Sequence, residues 1–170
     1  MENLENKARL VVAVVALLFI VGAGAWNYAS VNSALSPWYD PIVTRDEVKL
    51  ALWADGNIPP GTLYAADLFA CEMLTATARA VCSVGGAWEL ADNANQRFSD
   101  NEKAFLTNSS KEAWELNAKY GVKFVLTSPR TGFYAYGYKQ PQNLKWNDSG
   151  HFQLYREEGQ AKLYKVVYGN

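Results

Sequence analysis

The sequence predicts an α/β fold: a single N-terminal transmembrane helix, then a small three-layer-like domain with a mixed, mostly parallel sheet and a C-terminal β-hairpin. Three observations predict it. Residues 10–26 carry no charge and are mostly Val, Ala, Leu, Ile and Phe. Beyond them, short apolar runs alternate with segments of helical apolar spacing, the pattern of strands joined through helices. At the end, residues 151–156 and 161–168 read as two strands joined by Glu157-Glu158-Gly159-Gln160.

Composition bounds the answer. With 170 residues, 49% of them hydrophobic and 19% charged, the chain can build one domain with its own core and is not disordered. Sixteen Lys and Arg against 17 Asp and Glu leave no concentrated basic face, which argues against a nucleic-acid partner.

The first element is the apolar helix, expected over residues 10–29. Lys7 and Arg9 precede it and the next basic residue is Arg45. The positive-inside rule then places residues 1–9 in the cytoplasm and the rest outside the cell membrane. Residues 30–43 read as a juxtamembrane linker and 44–170 as an extracytoplasmic α/β domain. A cleaved signal peptide is the competing reading, because Ala23-Gly24-Ala25 has the small-x-small form of a cleavage site. A buried soluble helix is the third, weakened by the lack of any polar face.

Within the domain, Thr44 and Glu47 form a capping-box pattern opening a helix that ends by Gly56. Pro59-Pro60-Gly61 is a turn into a strand over residues 62–66. Residues 67–80 are helical and 81–84 a short strand ended by Gly85-Gly86. Residues 86–98 read as a loop with a helical turn. Ser99, with Glu102, opens a helix. Asn108 or Ser109, with Glu112, opens another that stops at Gly121. Residues 122–127 are the clearest strand. Residues 129–150 form a long segment rich in Gly, Pro and aromatics.

This order of features resembles a known family. A helix ending near Trp53 is followed by Asn57-Ile-Pro-Pro-Gly-Thr-Leu-Tyr-Ala-Ala-Asp67 and then by Arg79. Asn95-Gln-Arg-Phe-Ser-Asp-Asn-Glu-Lys-Ala-Phe105, Ser109-Ser-Lys-Glu-Ala113 and Tyr120-Gly-Val-Lys-Phe-Val-Leu-Thr127 come next. Together these are similar to the soluble extracytoplasmic C-terminal domain of archaeal multi-pass membrane glycosyltransferases and oligosaccharyltransferase catalytic subunits, over residues 40–128 and 161–167. The resemblance implies the fold and an external location. It does not carry the activity, because that family places its catalytic carboxylates and metal between membrane helices. Its Trp-Trp-Asp-Tyr-Gly motif stands opposite Ala65-Ala66-Asp67-Leu68-Phe69, where only Asp67 matches.

Several residues are candidate sites. Asp67 ends a predicted strand, where open α/β sheets bind ligands; with Glu72 and Arg79 it would make a polar site, and alone it would cap the following helix, the stronger reading. Glu89, Asp92 and Arg97 read as a carboxylate pair with a cation, or as solvated loop charge. Tyr134, Tyr136 and Tyr138 share one face if extended and, with Trp146, suit a sugar or a protein partner, or else pack internally. Cys71 and Cys82 read as a disulfide or as two free thiols. Asn108 and Asn147 each begin a glycosylation tripeptide. His151 is the sole histidine and there is no CxxC, so neither a metal nor any other cofactor is expected.

No catalytic set is visible. The expected function is a non-catalytic, membrane-anchored accessory subunit whose partners are the bilayer and other membrane protein subunits, in surface glycosylation or another membrane complex. The alternatives are a glycan-binding module using the tyrosine face, and a remnant or part of a membrane glycosyltransferase.

Overall fold

The structure, a computed structural model, describes residues 2–39, 42–85, 92–128, 130 and 142–169. The chain divides into two units, Met1–Asp40 and Pro41–Asn170.

The first unit is one helix, α1 (Glu2–Tyr39). Its stretch Val11–Ser30 has a mean hydropathy of 2.0 and none of it is buried against protein. By length and composition this stretch can cross a membrane; a signal sequence would meet the same criteria. The helix continues through most of the segment expected as a linker. Residues 30–36 contain no Gly or Pro to stop it, and Pro37 arrives only in the last turn.

The second unit has three layers. Its helices are α2 (Arg45–Asn57), α3 (Leu68–Ala78), α4 (Ala94–Leu106) and α5 (Ser110–Tyr120). Its strands are β1 (Leu63–Ala65), β2 (Val81–Cys82), β3 (Phe124–Thr127), β4 (Phe152–Glu158) and β5 (Ala161–Val166), in the order β2-β1-β3-β5-β4. β1 runs parallel to β2 and β3, while β5 is antiparallel to β3 and β4. The sheet is mixed, as expected.

Side chains alternate across the sheet and build a core on each face. Tyr64, Phe124, Leu126 and Leu163 meet Leu50, Ala51 and Ala54 of α2 and Cys71 and Leu74 of α3. Ala65, Val125, Tyr164 and Val166 meet Phe105 of α4, Ala113 of α5 and Trp146. Trp146 lies in a short 3-10 turn, Leu144–Asn147, between the rings of Phe105 and Phe152 at 5.4 and 4.7 Å.

Local chemistry sets the boundaries. Thr44 and Glu47 form the reciprocal capping box on α2. Ser109 caps α5, and Gly121 ends it at φ 74°. α4 starts at Ala94, five residues before the expected Ser99. Residues 94–98 hold no helix breaker, and the inward spacing of Phe98, Asn101, Ala104 and Phe105 outweighs the capping preference of Ser99. The β4–β5 turn needs Gly159: its φ is 57°, and an added Cβ would collide with Asp46, whose carboxylate accepts the Gln160 N–H at 3.1 Å. In β4 a bulge at Tyr155 turns both Tyr155 and Arg156 toward Trp53 of α2, at 5.9 and 5.0 Å.

Candidate functional site at the carboxyl edge of the sheet

β1 is the point where the winding of the sheet reverses: the chain leaves β1 for β2 on one side and returns to β3 on the other. Open α/β sheets place ligand crevices at the carboxyl ends of such strands. Asp67 follows β1, Ser83 follows β2, and Arg130 follows β3.

Arg130 is the centre of this edge. Its Nε and Nη2 donate to Glu47 Oε1 at 3.0 and 2.9 Å, and Nη2 also donates to Asp67 Oδ2. Nη1 donates to the Ile42 carbonyl at 3.0 Å. Glu47 and Asp67 are 0% and 2% exposed, and the Arg130 side chain 8%. Each carboxylate is also bound locally. Glu47 Oε2 accepts the Thr44 N–H at 2.6 Å, and Asp67 Oδ1 accepts the Ala70 N–H at 2.9 Å, capping α3. One planar cation thus ties together the start of α2, the β1–α3 junction and the segment after β3.

Two carboxylates share one guanidinium, so the cluster carries an excess negative charge when both are ionised. Burial pushes the Asp67 carboxyl up to about 6; the Arg130 charge and the Ala70 N–H oppose that shift, and Glu47 adds to it.

Asn101 closes the edge on the β2 side. Its Nδ2 donates to the Ala66 carbonyl at 2.9 Å and its Oδ1 accepts the Ser83 hydroxyl at 2.9 Å. Behind it, Lys145 is buried and donates to the carbonyls of Phe105 at 2.6 Å and Thr107 at 3.0 Å, and to that of Gln142. Burial lowers this amine to about 7. The carbonyls at the end of α4 account for its placement.

The sequence-derived candidates distribute as follows. Asp67 is the α3 cap and a member of the buried cluster, but Arg79 does not join it. Arg79 sits at the other end of α3 in the left-handed conformation and makes a forked contact with Asp55 Oδ1 at 3.1 and 2.9 Å. Trp146 is 0% exposed and the core uses its whole surface, so of its two readings, binding face or internal packing, this residue takes the second and its place on a binding face is corrected. Tyr134, Tyr136, Tyr138 and Glu89 lie outside the described residues. Arg97 donates to the Asp92 carbonyl and stacks over Tyr120 at 5.3 Å. Asn108 and Asn147 are exposed.

Of the two readings of the cysteines, a disulfide or two free thiols, this structure has the free thiols. Cys71 and Cys82 are free, 2.6 Å apart and not bonded, one on α3 and the other on β2. His151 contacts Asp148 at 2.8 Å, and the Ser110 hydroxyl donates to the same Asp148 oxygen at 2.5 Å. The hydroxyl meets the carboxylate and not the imidazole, so this is no nucleophile–base pair. Among the described residues no three His, Cys, Asp or Glu side chains are grouped to hold a metal ion.

Sequence reasoning missed Arg130, Glu47 as a site member, and Asn101. The available signal was Arg130 itself, a basic residue just beyond the carboxyl end of the strongest strand.

No protein-family model matches the sequence, and no curated protein matches it. Among solved structures, the chain is similar to the C-terminal globular domain of oligosaccharyltransferase from Archaeoglobus fulgidus. The match has 14% identity and a TM-score of 0.56, and covers 74% of this chain and 99% of that one. A second C-terminal globular domain of oligosaccharyltransferase from the same organism matches at 19% identity and a TM-score of 0.47, covering 76% and 99%. The first match shows that the two domains share a fold.

Proposed function

We propose that this chain is a non-catalytic accessory subunit, anchored in the membrane by α1, whose α/β domain lies outside the cytoplasm and docks onto a membrane complex acting in surface glycosylation. One observation carries the reading: a domain with the fold of an oligosaccharyltransferase C-terminal domain follows a helix apolar enough to span a bilayer. The uncovered Val, Leu, Ile and Phe side chains of Val11–Ser30 need lipid or other membrane helices to bury them.

The charge cluster fits this role. Arg130 and its two carboxylates use their hydrogen bonds on one another and on the backbone, which fixes the carboxyl edge as a rigid platform. Tyr134, Tyr136 and Tyr138 follow Arg130 in sequence, and their rings are the part of the chain proposed to meet a partner. In an oxidising compartment, Cys71 and Cys82 would pass two electrons and two protons to a thiol–disulfide oxidoreductase and close a bond.

Deleting the gene and measuring glycan occupancy of surface glycoproteins by mass spectrometry tests the reading. Reduced occupancy, restored by the full chain, is expected. Unchanged occupancy at every site rejects it.

A further inference from the structure

The opposite, amino edge of the sheet holds a cleft of about 440 Å³. It exists because α2 stops at Asn57 while the strands beneath it continue. The cross-strand neighbours Phe124, Lys165 and Gln153 lie in register there. The half-exposed Tyr155 borders the cleft, with its ring 5.0 Å from that of the buried Phe124 and tilted to it by 53°. Lys123 stands at the rim with its Nζ 4.7 Å from the Tyr168 ring centre, and the Tyr168 hydroxyl donates to the Val122 carbonyl.

The charge of this cleft is one-sided. Two lysines line it and no carboxylate does. Neither lysine is in an ion pair among the described residues, whereas Lys103, Lys111, Lys119 and Lys162 all are. Two ammonium groups lining the cleft together with the ring and hydroxyl of Tyr155 and the amide of Gln153 match a ring that bears an acidic group. The volume falls within the range of small-molecule sites, roughly 300–1,000 Å³. The exposed Tyr155 ring supplies a stacking face and the lysines charge-assisted hydrogen bonds.

We infer that this cleft binds an acidic saccharide, a sugar ring carrying a carboxylate or phosphate, held by Lys123 and Lys165 against Tyr155. The site lies at the other edge of the sheet from the charge cluster and stands whether or not the chain is an accessory subunit.

Isothermal titration of the full chain in neutral-lipid nanodiscs tests it, with glucuronic acid, glucose 6-phosphate, glucose and inorganic phosphate as probes. The two acidic sugars are expected to bind, with glucose and inorganic phosphate each weaker by about tenfold or more. The Lys123→Gln/Lys165→Gln variant, both sites exposed, is expected to lose acidic-sugar binding by about tenfold or more while melting at the same temperature. Repeating the titration in nanodiscs containing anionic lipid separates the two sources of a phosphate group. Unchanged binding supports the saccharide, and loss of binding assigns the cleft to a lipid headgroup and overturns it. Absence of binding, equal binding of glucose, or indifference to the lysine substitutions also overturns it.

Discussion

Arg130 Nη2 lies 2.9 Å from Glu47 Oε1, a contact between residues 83 apart in sequence, and the same nitrogen reaches Asp67. The three charges meet where the sheet reverses its winding, nearly out of contact with solvent.

Arg130→Met should therefore be the costliest single change at the carboxyl edge. It leaves two buried carboxylates without a counter-charge, which costs about 3–5 kcal/mol. Urea denaturation of the full chain in detergent measures it, and a loss below about 1 kcal/mol would contradict the clamp.

The pH dependence of stability follows from the same cluster. The Asp67 carboxyl is raised from an ordinary 3.8 to about 6 in the folded state. The folded chain then binds the extra proton, so its contribution is fully present below about pH 4 and is lost as pH rises through about 6. Lys145 works in a separate window. Its amine is lowered from 10.5 to about 7, so its contribution is present above about pH 10.5 and is lost as pH falls through about 7. Denaturation midpoints between pH 4 and 6 should fall for the parent and lose that slope in Asp67→Asn. Lys145→Met should flatten the rise between pH 7 and 10.

Asn101→Leu removes the side-chain bridge between the residues that follow β1 and β2. It orphans the Ala66 carbonyl and the Ser83 hydroxyl, both buried, and should cost about 2–3 kcal/mol by thermal unfolding. Asn95→Ala, on an exposed position of the same helix, serves as the reference and should change stability by less than about 0.5 kcal/mol.

Much of this architecture is legible in the sequence because it is local. The Thr44–Glu47 box, the Asp67 and Ser109 caps, and Gly121 each announce a helix end within four residues. The apolar run before Ser128 announces the central strand. What the sequence hides is what only the topology brings together. Glu47 looks like a complete capping residue, and its second role depends on Arg130, 83 residues away. Arg79 looks like a partner for Asp67, yet the length of α3 carries it to Asp55. Trp146 stands in an aromatic-rich segment that reads equally as a binding face or as internal packing, and only the packing of Phe105, Phe152 and Tyr164 around it shows a core residue.

The two cysteines test the compartment. Cys71 and Cys82 are adjacent without being bonded. Chain isolated from its native membrane without reductant, then unfolded and treated with iodoacetamide, should take up no label and run faster on a non-reducing gel. Two labels per chain would place the domain in a reducing compartment and contradict the external location.

The accessory-subunit account is tested most directly by native mass spectrometry of the full chain extracted from its own membrane in mild detergent. The account predicts a stable assembly in which the chain accompanies a multi-pass glycosyltransferase subunit and is lost from it when residues 11–30 are replaced by an unrelated spanning helix. A lone monomer released under every extraction condition would contradict it.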